Sequence, residues 1–500
     1  MRTLLNIIQL SHYQSIFTFA LSIHNKKDVR TTLRTEQYSA NTDQANRFKR
    51  QTICNSLSFE IMVLTLTRPN MELNKRQFLI ASGAALAALP LSHSAIASTA
   101  TNKSVGNSAL KNLTENVIPI SVKERQARIA KAQQLMQQHN IAAMILEPGP
   151  AMDYFTGIQW WRSERLTAVV IPKEGEIAVI CPFFEEPSIR ESLAVGEDVR
   201  VWQEHESPFE RVKQILNDRK INQGTLAFED SVRYFVQRGI MSLLPKMQDV
   251  SAEPVTLGCR MFKDNHELQL MHKANEITLT AYAHVWSKLE LGMSQSDVKS
   301  LMSSAQSALG GSDIWNMALF NEASAFPHGT KQQQTIREGS IVLMDCGCSV
   351  QGYQSDISRT FVFGEPNKKQ QKIWNTVREG QRIAFETATL GTAAGKVDDA
   401  VRAYYVQQGL GPDYKLPGLS HRTGHGIGMQ GHEPVNFVHG EAETLKPGMC
   451  FSNEPGIYLP GEFGVRLEDC VYMTDKGIQW FTVPPDSLAS PIGKLAAYPI

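Results

Sequence analysis

Apolar positions fall into helical and strand periods from about residue 121 onward. Ile129, Ala132, Leu135 and Met136 share one helix face behind a capping box of Ser121 and Glu124. Apolar runs follow at Ile141 to Leu146, Thr167 to Ile171, Ile177 to Cys181 and Thr225 to Phe228, with helical patterns at Phe209 to Arg219 and Val232 to Leu244. This alternation predicts an α/β domain over 121–258. Asp264 with Glu267 caps a long helix that the pattern carries to Leu291, so the boundary lies near 255–264.

A second domain, 259–490, repeats its own pattern. Leu291-Gly292, Val298 and Gly310 recur 99 residues later as Leu390-Gly391, Val397 and Gly409. Each copy reads as a long helix, a shorter helix and then a strand announced by a glycine. Gly339 precedes the apolar strand pattern Ile341 to Met344, which Asp345 ends, and Gly448 precedes Met449 to Asn453 and Glu454. The carboxylate stands six residues past the glycine in both, and each strand is expected to turn back and bring a second acid, Asp356 in one hairpin and Glu468 in the other.

The first hundred residues add nothing to this fold. Residues 1–70 have no clear periodicity and read as an upstream extension from a wrongly chosen start codon. Met71, Lys75-Arg76, the apolar stretch Phe78 to Leu91 and Ala95-Ile96-Ala97 have the order of a cleaved export signal, 71–97. Its apolar stretch falls short of the ~20 residues a bilayer core takes. Asn74 to Leu79 resembles a twin-arginine motif with Lys in place of the first Arg, which points to the periplasm. A polar linker, 98–120, follows.

Five hundred residues exceed what one hydrophobic core organises, and 42% hydrophobic with 20% charged residues is the make-up of a folded protein. Fifty basic against fifty acidic residues leave no global attraction to nucleic acid. After residue 97 the balance is 39 to 45, a mildly acidic chain. The six cysteines of that part (Cys181, Cys259, Cys346, Cys348, Cys450, Cys470) show no zinc spacing and read as small buried residues, with pairing open in an oxidising compartment.

Asp345, Asp356, Glu454 and Glu468 carry the chemistry. Four acids converging in strands would repel one another and could not all stay ionised without a cation. His425, in Gly424-His425-Gly426-Ile427-Gly428, supplies a nitrogen ligand, with His432 seven residues on. An oxygen-rich, thiolate-free set suits Mn²⁺, Co²⁺, Zn²⁺ or Fe²⁺, and bridging carboxylates imply two ions.

Phe326-Pro327-His328-Gly329, Met344-Asp345-Cys346-Gly347, Ser355 to Thr360, His425 to Pro434, Asn453-Glu454-Pro455-Gly456 and Val465 to Asp469 resemble, in order, the motifs of the pita-bread metallopeptidases, in their Xaa-Pro aminopeptidase and prolidase branch. The resemblance covers about 121–485. It implies an α+β protein: a creatinase-type α/β N-terminal domain and a C-terminal pita-bread domain with a pseudo-twofold internal repeat. It also implies two divalent ions, Mn²⁺ foremost with Co²⁺ or Zn²⁺ as alternatives, held by Asp345, Asp356, His425, Glu454 and Glu468, with Asp356 and Glu468 bridging. His328 and His432 would flank the substrate, Arg466 would stand beside it or behind the ligands, and Glu454 would also shuttle a proton. The implied reaction is hydrolysis of the bond before proline in peptides by a metal-bridging hydroxide, in a homodimer. The N-terminal domain is expected to shape access without supplying a ligand, with Trp160 and Trp161 in a loop reaching the other domain or a dimer partner. Two alternatives stay open: a metal-dependent hydrolase of a small non-peptide C–N substrate, and a non-catalytic peptide-binding relative.

Overall fold

The computed structural model describes residues 110–498. The 1–70 extension, the 71–97 export signal and most of the 98–120 linker lie outside the described residues. No described helix is long and apolar enough to cross a membrane.

The first part of the chain runs α1 (Val122–Gln138), β1 (Ile141–Leu146), α2 (Pro150–Thr156), β2 (Ala168–Pro172), β3 (Ala178–Pro182), α3 (Glu186–Ser192), β4 (Asp198–Trp202), α4 (Pro208–Asp218), β5 (Gly224–Phe228), α5 (Tyr234–Ser242), β6 (Met247–Ser251) and α6 (Glu253–Arg260). Ser121 and Glu124 cap α1 reciprocally. The six strands form one mixed sheet in the order β4-β3-β2-β1-β5-β6. Its inner strands β1 to β3 are the apolar runs of the sequence, shifted by at most one residue. The two edge strands, β4 and β6, were not anticipated. Asp198-Val-Arg-Val-Trp202 and Met247-Gln-Asp-Val-Ser251 are polar because an edge strand is only partly covered.

The second part opens with α7 (Asn265–Trp286), capped by Asp264 and Glu267, and ends five residues short of the expected Leu291. It continues through α8 (Gln295–Ala308), β7 (Ser312–Phe320), β8 (Ile341–Val350), β9 (Tyr353–Gln354) and β10 (Ile357–Val362). The second half follows with α9 (Lys368–Thr387), α10 (Gly395–Gln407), β11 (Gly424–Gly426), β12 (Glu433–Phe437), β13 (Cys450–Asn453), β14 (Gly456–Leu459), β15 (Phe463–Arg466), β16 (Asp469–Thr474) and β17 (Gly477–Trp480). The sheets are ordered β10-β8-β7 and β12-β11-β13-β16-β17, with β14 and β15 as a separate hairpin.

The internal repeat is visible in the backbone. Gly292 N–H donates to Ile336 O and Gly391 N–H to Leu445 O, and matching isolated bridges join Ser294 to Thr335 and Ala393 to Thr444. Gly292 and Gly391 both have positive φ, +86° and +78°, which a side chain would strain. Apolar packing crosses between the parts of the chain. One core joins α1 (Ala132, Met136), α7 (Ala274, Ile277) and β8 (Met344, Cys348) and also takes in Cys450 and Tyr472; another joins α9 and α10 (Trp374, Val401) to β12, β13 and β15 (Phe437, Phe451, Val465) and also takes in Ile341 and Val362. The six cysteines among the described residues are buried and unpaired.

Candidate metal centre

The acids are set by two hairpins and the imidazole by a third. Asp345 lies at the middle of β8, opposite Ser358, and does not end the strand as its apolar run implied. The strand continues because Cys346 to Val350 are small or apolar. Gly347 lets it pass close to its neighbour, since a Cβ there would meet Ser355 O at 2.2 Å. Asp356 immediately precedes β10. In the second half Asn453 pairs with Asp469, so Glu454 and Glu468 stand side by side at the ends of β13 and β16. His425 is the centre of β11, where Gly424 is pressed against Ser452 O: a Cβ would approach to 2.1 Å.

These residues converge. In three overlapping sets (Asp345, Asp356 and Glu468; His425, Glu454 and Glu468; Asp356, His425 and His432) one ligand atom from each lies within 4.8 Å of the others. His425 Nε2 is 3.3 Å from Glu454 Oε1 and 3.7 Å from Asp356 Oδ2. Its Nδ1–H donates to Gly426 O at 3.0 Å, which leaves the Nε2 lone pair facing the acids. His432, expected only to flank the substrate, thus also stands among the ligand atoms, its ring 4.2 Å from that of His425.

The electrostatics of the cluster favour a bound cation. Burial, then repulsion from Asp345 and Glu454, pushes the Asp356 carboxyl well above the ordinary range; burial, then Asp356 and Glu454, does the same to Glu468. Glu454 is pushed up to about 7 by burial and by Asp345, against the attraction of Arg466. Burial and the adjoining His432 hold His425 neutral. Asp356 Oδ1 is buried with no hydrogen-bond partner. A neutral imidazole, an orphaned carboxylate oxygen and acids that must otherwise carry protons are the donor set of a divalent-cation site.

Arg466, at the end of β15, holds the cluster from behind. Its Nη2 donates to Asp345 Oδ2 at 2.5 Å and its Nε to Ser358 Oγ at 2.8 Å; that hydroxyl lies 2.8 Å from Asp345 Oδ1 and 2.7 Å from Glu468 Oε2. Its Nη1 reaches Pro327 O at 3.1 Å, which ties in the loop carrying His328. His328 is exposed and borders a cavity of about 410 Å³ with Asn316, Met317, Lys299 and Lys331. Arg359, fully buried against Asp469, also donates to Glu468 O at 2.8 Å, so the two halves are cross-linked at the site.

Two neighbours, the buried Tyr458 and the half-buried His421, escaped the sequence reading. Tyr458 OH accepts from Arg466 Nη1 at 3.1 Å and donates to His421 Nε2, 2.7 Å away, whose Nδ1–H donates to Arg422 O. Tyr458 looks like an ordinary strand aromatic, and only the β14–β15 hairpin brings it to Arg466. His421, four residues before His425, was the available signal. Trp160 and Trp161 stack on each other at 4.3 Å in the loop after α2, and both border an interdomain cavity with Asp313, Gln351 and Met429.

Residues 269–475 match the model of metallopeptidase family M24, and 128–262 that of the creatinase/prolidase N-terminal domain. A probable dipeptidase PepE of Mycobacterium tuberculosis is 32% identical over 354 residues, 70% of this chain and 92% of that protein. An Xaa-Pro dipeptidase of Lactobacillus helveticus is 30% identical over 359 residues, 70% of this chain and 95% of its own length. Among solved structures, dipeptidase PepE from Mycobacterium ulcerans superposes with a TM-score of 0.68 at 30% identity, covering 74% of this chain and 98% of that one.

Proposed function

The chain belongs to metallopeptidase family M24, with the creatinase-type and pita-bread domains of that fold, and on this premise we propose that it cleaves the peptide bond preceding proline. The observation that carries this reading is the convergence of Asp345, Asp356, His425, Glu454 and Glu468 within ligand distance. The similarity to an Xaa-Pro dipeptidase supports the substrate class.

In this proposal Asp345, Asp356, His425, Glu454 and Glu468 would hold two divalent cations, with Mn²⁺ foremost and Co²⁺ or Zn²⁺ as alternatives. The chemistry such cations would supply there is activation of a water and polarisation of the scissile carbonyl. Glu454, beside the reacting water, would take its proton and return it to the leaving nitrogen. His432 and His328 border the substrate, and His432 donates to the oxyanion as it forms. Arg466 fixes Asp345 and Ser358. Proline leaves through an imide nitrogen that has no N–H, so the site needs no acceptor for one. The proposal includes export by the 71–97 signal and a homodimer, which rest on the sequence pattern and the resemblance.

The test is a panel of Xaa-Pro dipeptides, Xaa-Pro-Yaa peptides and proline-free dipeptides assayed with Mn²⁺, Co²⁺ and Zn²⁺. Cleavage confined to the bond before proline is expected; equal cleavage of the proline-free dipeptides would refute the specificity.

A further inference from the structure

His432 has little to hold it. It is exposed, and its imidazole makes no hydrogen bond among the described residues, only an edge-on contact with His425 at 74°. Its orientation is inherited from the backbone, and the next residue is tied down firmly. The Glu433 side chain is 4% exposed. Its Oε1 accepts from Arg260 Nη2 at 2.6 Å and from Gln430 N–H at 3.2 Å; its Oε2 accepts from Lys263 Nζ at 2.8 Å. Arg260 Nη2 also donates to Gln430 Oε1 at 3.0 Å, so one guanidinium holds two residues of the loop.

Both cations come from the segment between the domains. Arg260 is the last residue of α6, and Lys263 precedes the Asp264 cap of α7. Lys263 is pinned in turn by its backbone N–H, which donates to Gly448 O at 2.8 Å. The clamp presses on the catalytic loop at Gly428, where a Cβ would meet Lys263 Cε at 2.6 Å and Glu433 Oε2 at 2.7 Å. His432 is the bend residue immediately before β12, and Glu433 is the first residue of the strand. Glu433 reaches Arg260 and Lys263 of the interdomain segment, while the adjoining His432 packs its ring on His425 with a ring nitrogen near Asp356.

We infer that Glu433, clamped by Arg260 and Lys263, is a positioning residue for His432, so that the interdomain segment sets the geometry of the catalytic imidazole. The inference rests on the reading of His432 as the oxyanion donor. A buried ion triad that only fastened two domains would affect stability and leave turnover coupled to nothing in the site.

A double-mutant cycle on the metal-loaded full chain separates the two. Glu433→Gln and Arg260→Met are each made alone and with His432→Ala, and kcat, KM and metal content are measured on an Xaa-Pro dipeptide. Arg260→Met leaves the Glu433–Lys263 pair intact, so it carries the test if Glu433→Gln does not fold. Each single variant is expected to lose about 10-fold or more in kcat, the cost of a misplaced catalytic group, with KM and metal content little changed. In the His432→Ala background the same changes are expected to cost less than about 2-fold, because coupled residues are not additive. Unchanged kcat in both single variants, or losses that multiply with that of His432→Ala, would overturn the inference. A His432→Ala enzyme with full turnover would overturn the reading of His432 itself, and this inference with it.

Discussion

Arg466 Nη2 lies 2.5 Å from Asp345 Oδ2, in a buried pair whose guanidinium also holds Ser358 and Tyr458. Among the described residues no other Lys or Arg forms an ion pair with any of the four acids, and burial makes the loss of Arg466 costly. Arg466→Met is expected to destabilise the metal-free chain by about 3 kcal/mol or more, the usual cost of breaking a buried pair. Saturating Mn²⁺ should shrink that loss by taking over the charge of Asp345. Urea denaturation with and without chelator checks both; a loss that is the same in both conditions contradicts the electrostatic role.

Gly424 tests the packing behind His425. Its place 2.1 Å (as a Cβ) from Ser452 O leaves no room for a methyl, and the obstacle is backbone. Gly424→Ala is expected to cost about 1–3 kcal/mol through overpacking and to lower metal content by displacing β11. Thermal denaturation together with metal analysis of the purified protein measures both; wild-type metal content would show that β11 tolerates the shift.

Much of this site was legible because its chemistry is local and repeated. The glycine-to-carboxylate spacing at Gly339–Asp345 and Gly448–Glu454 marks equivalent strands in two halves, and glycines around His425 mark a strand under close approach. What stayed hidden depends on tertiary pairing. β4 and β6 lack apolar runs because edges need none. Tyr458 and His421 meet Arg466 only through the β14–β15 hairpin, and Glu433 meets Arg260 across 173 residues. The reading of Asp345 as a strand end failed because polarity at a functional site interrupts a strand that packing continues.

A pH dependence of stability follows from the pair joining α1 to α7. His266 Nδ1 lies 2.6 Å from Glu124 Oε1, and Nε2 lies 3.0 Å from Ile118 O, so both ring nitrogens donate when the imidazole is charged. Burial raises the Glu124 carboxyl, but the hydrogen bonds from Ser121 and His266 outweigh it and hold the group at about 2. Burial lowers His266, and the bonds to Glu124 and Ile118 outweigh that, so its pKa is raised. The depressed acid contributes above its unfolded value, about 4.3, and the contribution is lost as pH falls through the folded value. The raised imidazole contributes fully below about 6.5 and is lost as pH rises through its folded value. The pair is therefore strongest between about pH 4.3 and 6.5. His266→Ala should cost up to about 1 kcal/mol at pH 5.5, as a partly exposed pair does, and clearly less at pH 9. Denaturation at the two pH values reads the difference; an equal cost at both contradicts the assignment.

Export makes a separate prediction. The order of Lys75-Arg76, an apolar stretch and Ala95-Ile96-Ala97 implies cleavage near Ala97. Intact-mass spectrometry of protein isolated from its native host is expected to find a chain beginning near Ser98. A mass that includes residues 71–97 would rule out a cleaved signal.

The central claim, that five residues hold two cations while His432 serves the reaction, is tested most directly by measuring metal content and Xaa-Pro hydrolysis together in Asp356→Ala and His432→Ala. The Asp356→Ala protein should hold fewer than two ions per chain and lose hydrolysis, because the remaining ligands do not complete both sites. His432→Ala should keep both ions while its turnover falls by about 10² to 10³, the usual cost of an oxyanion donor. Full activity in Asp356→Ala, or an equal loss of metal in His432→Ala, would contradict the account.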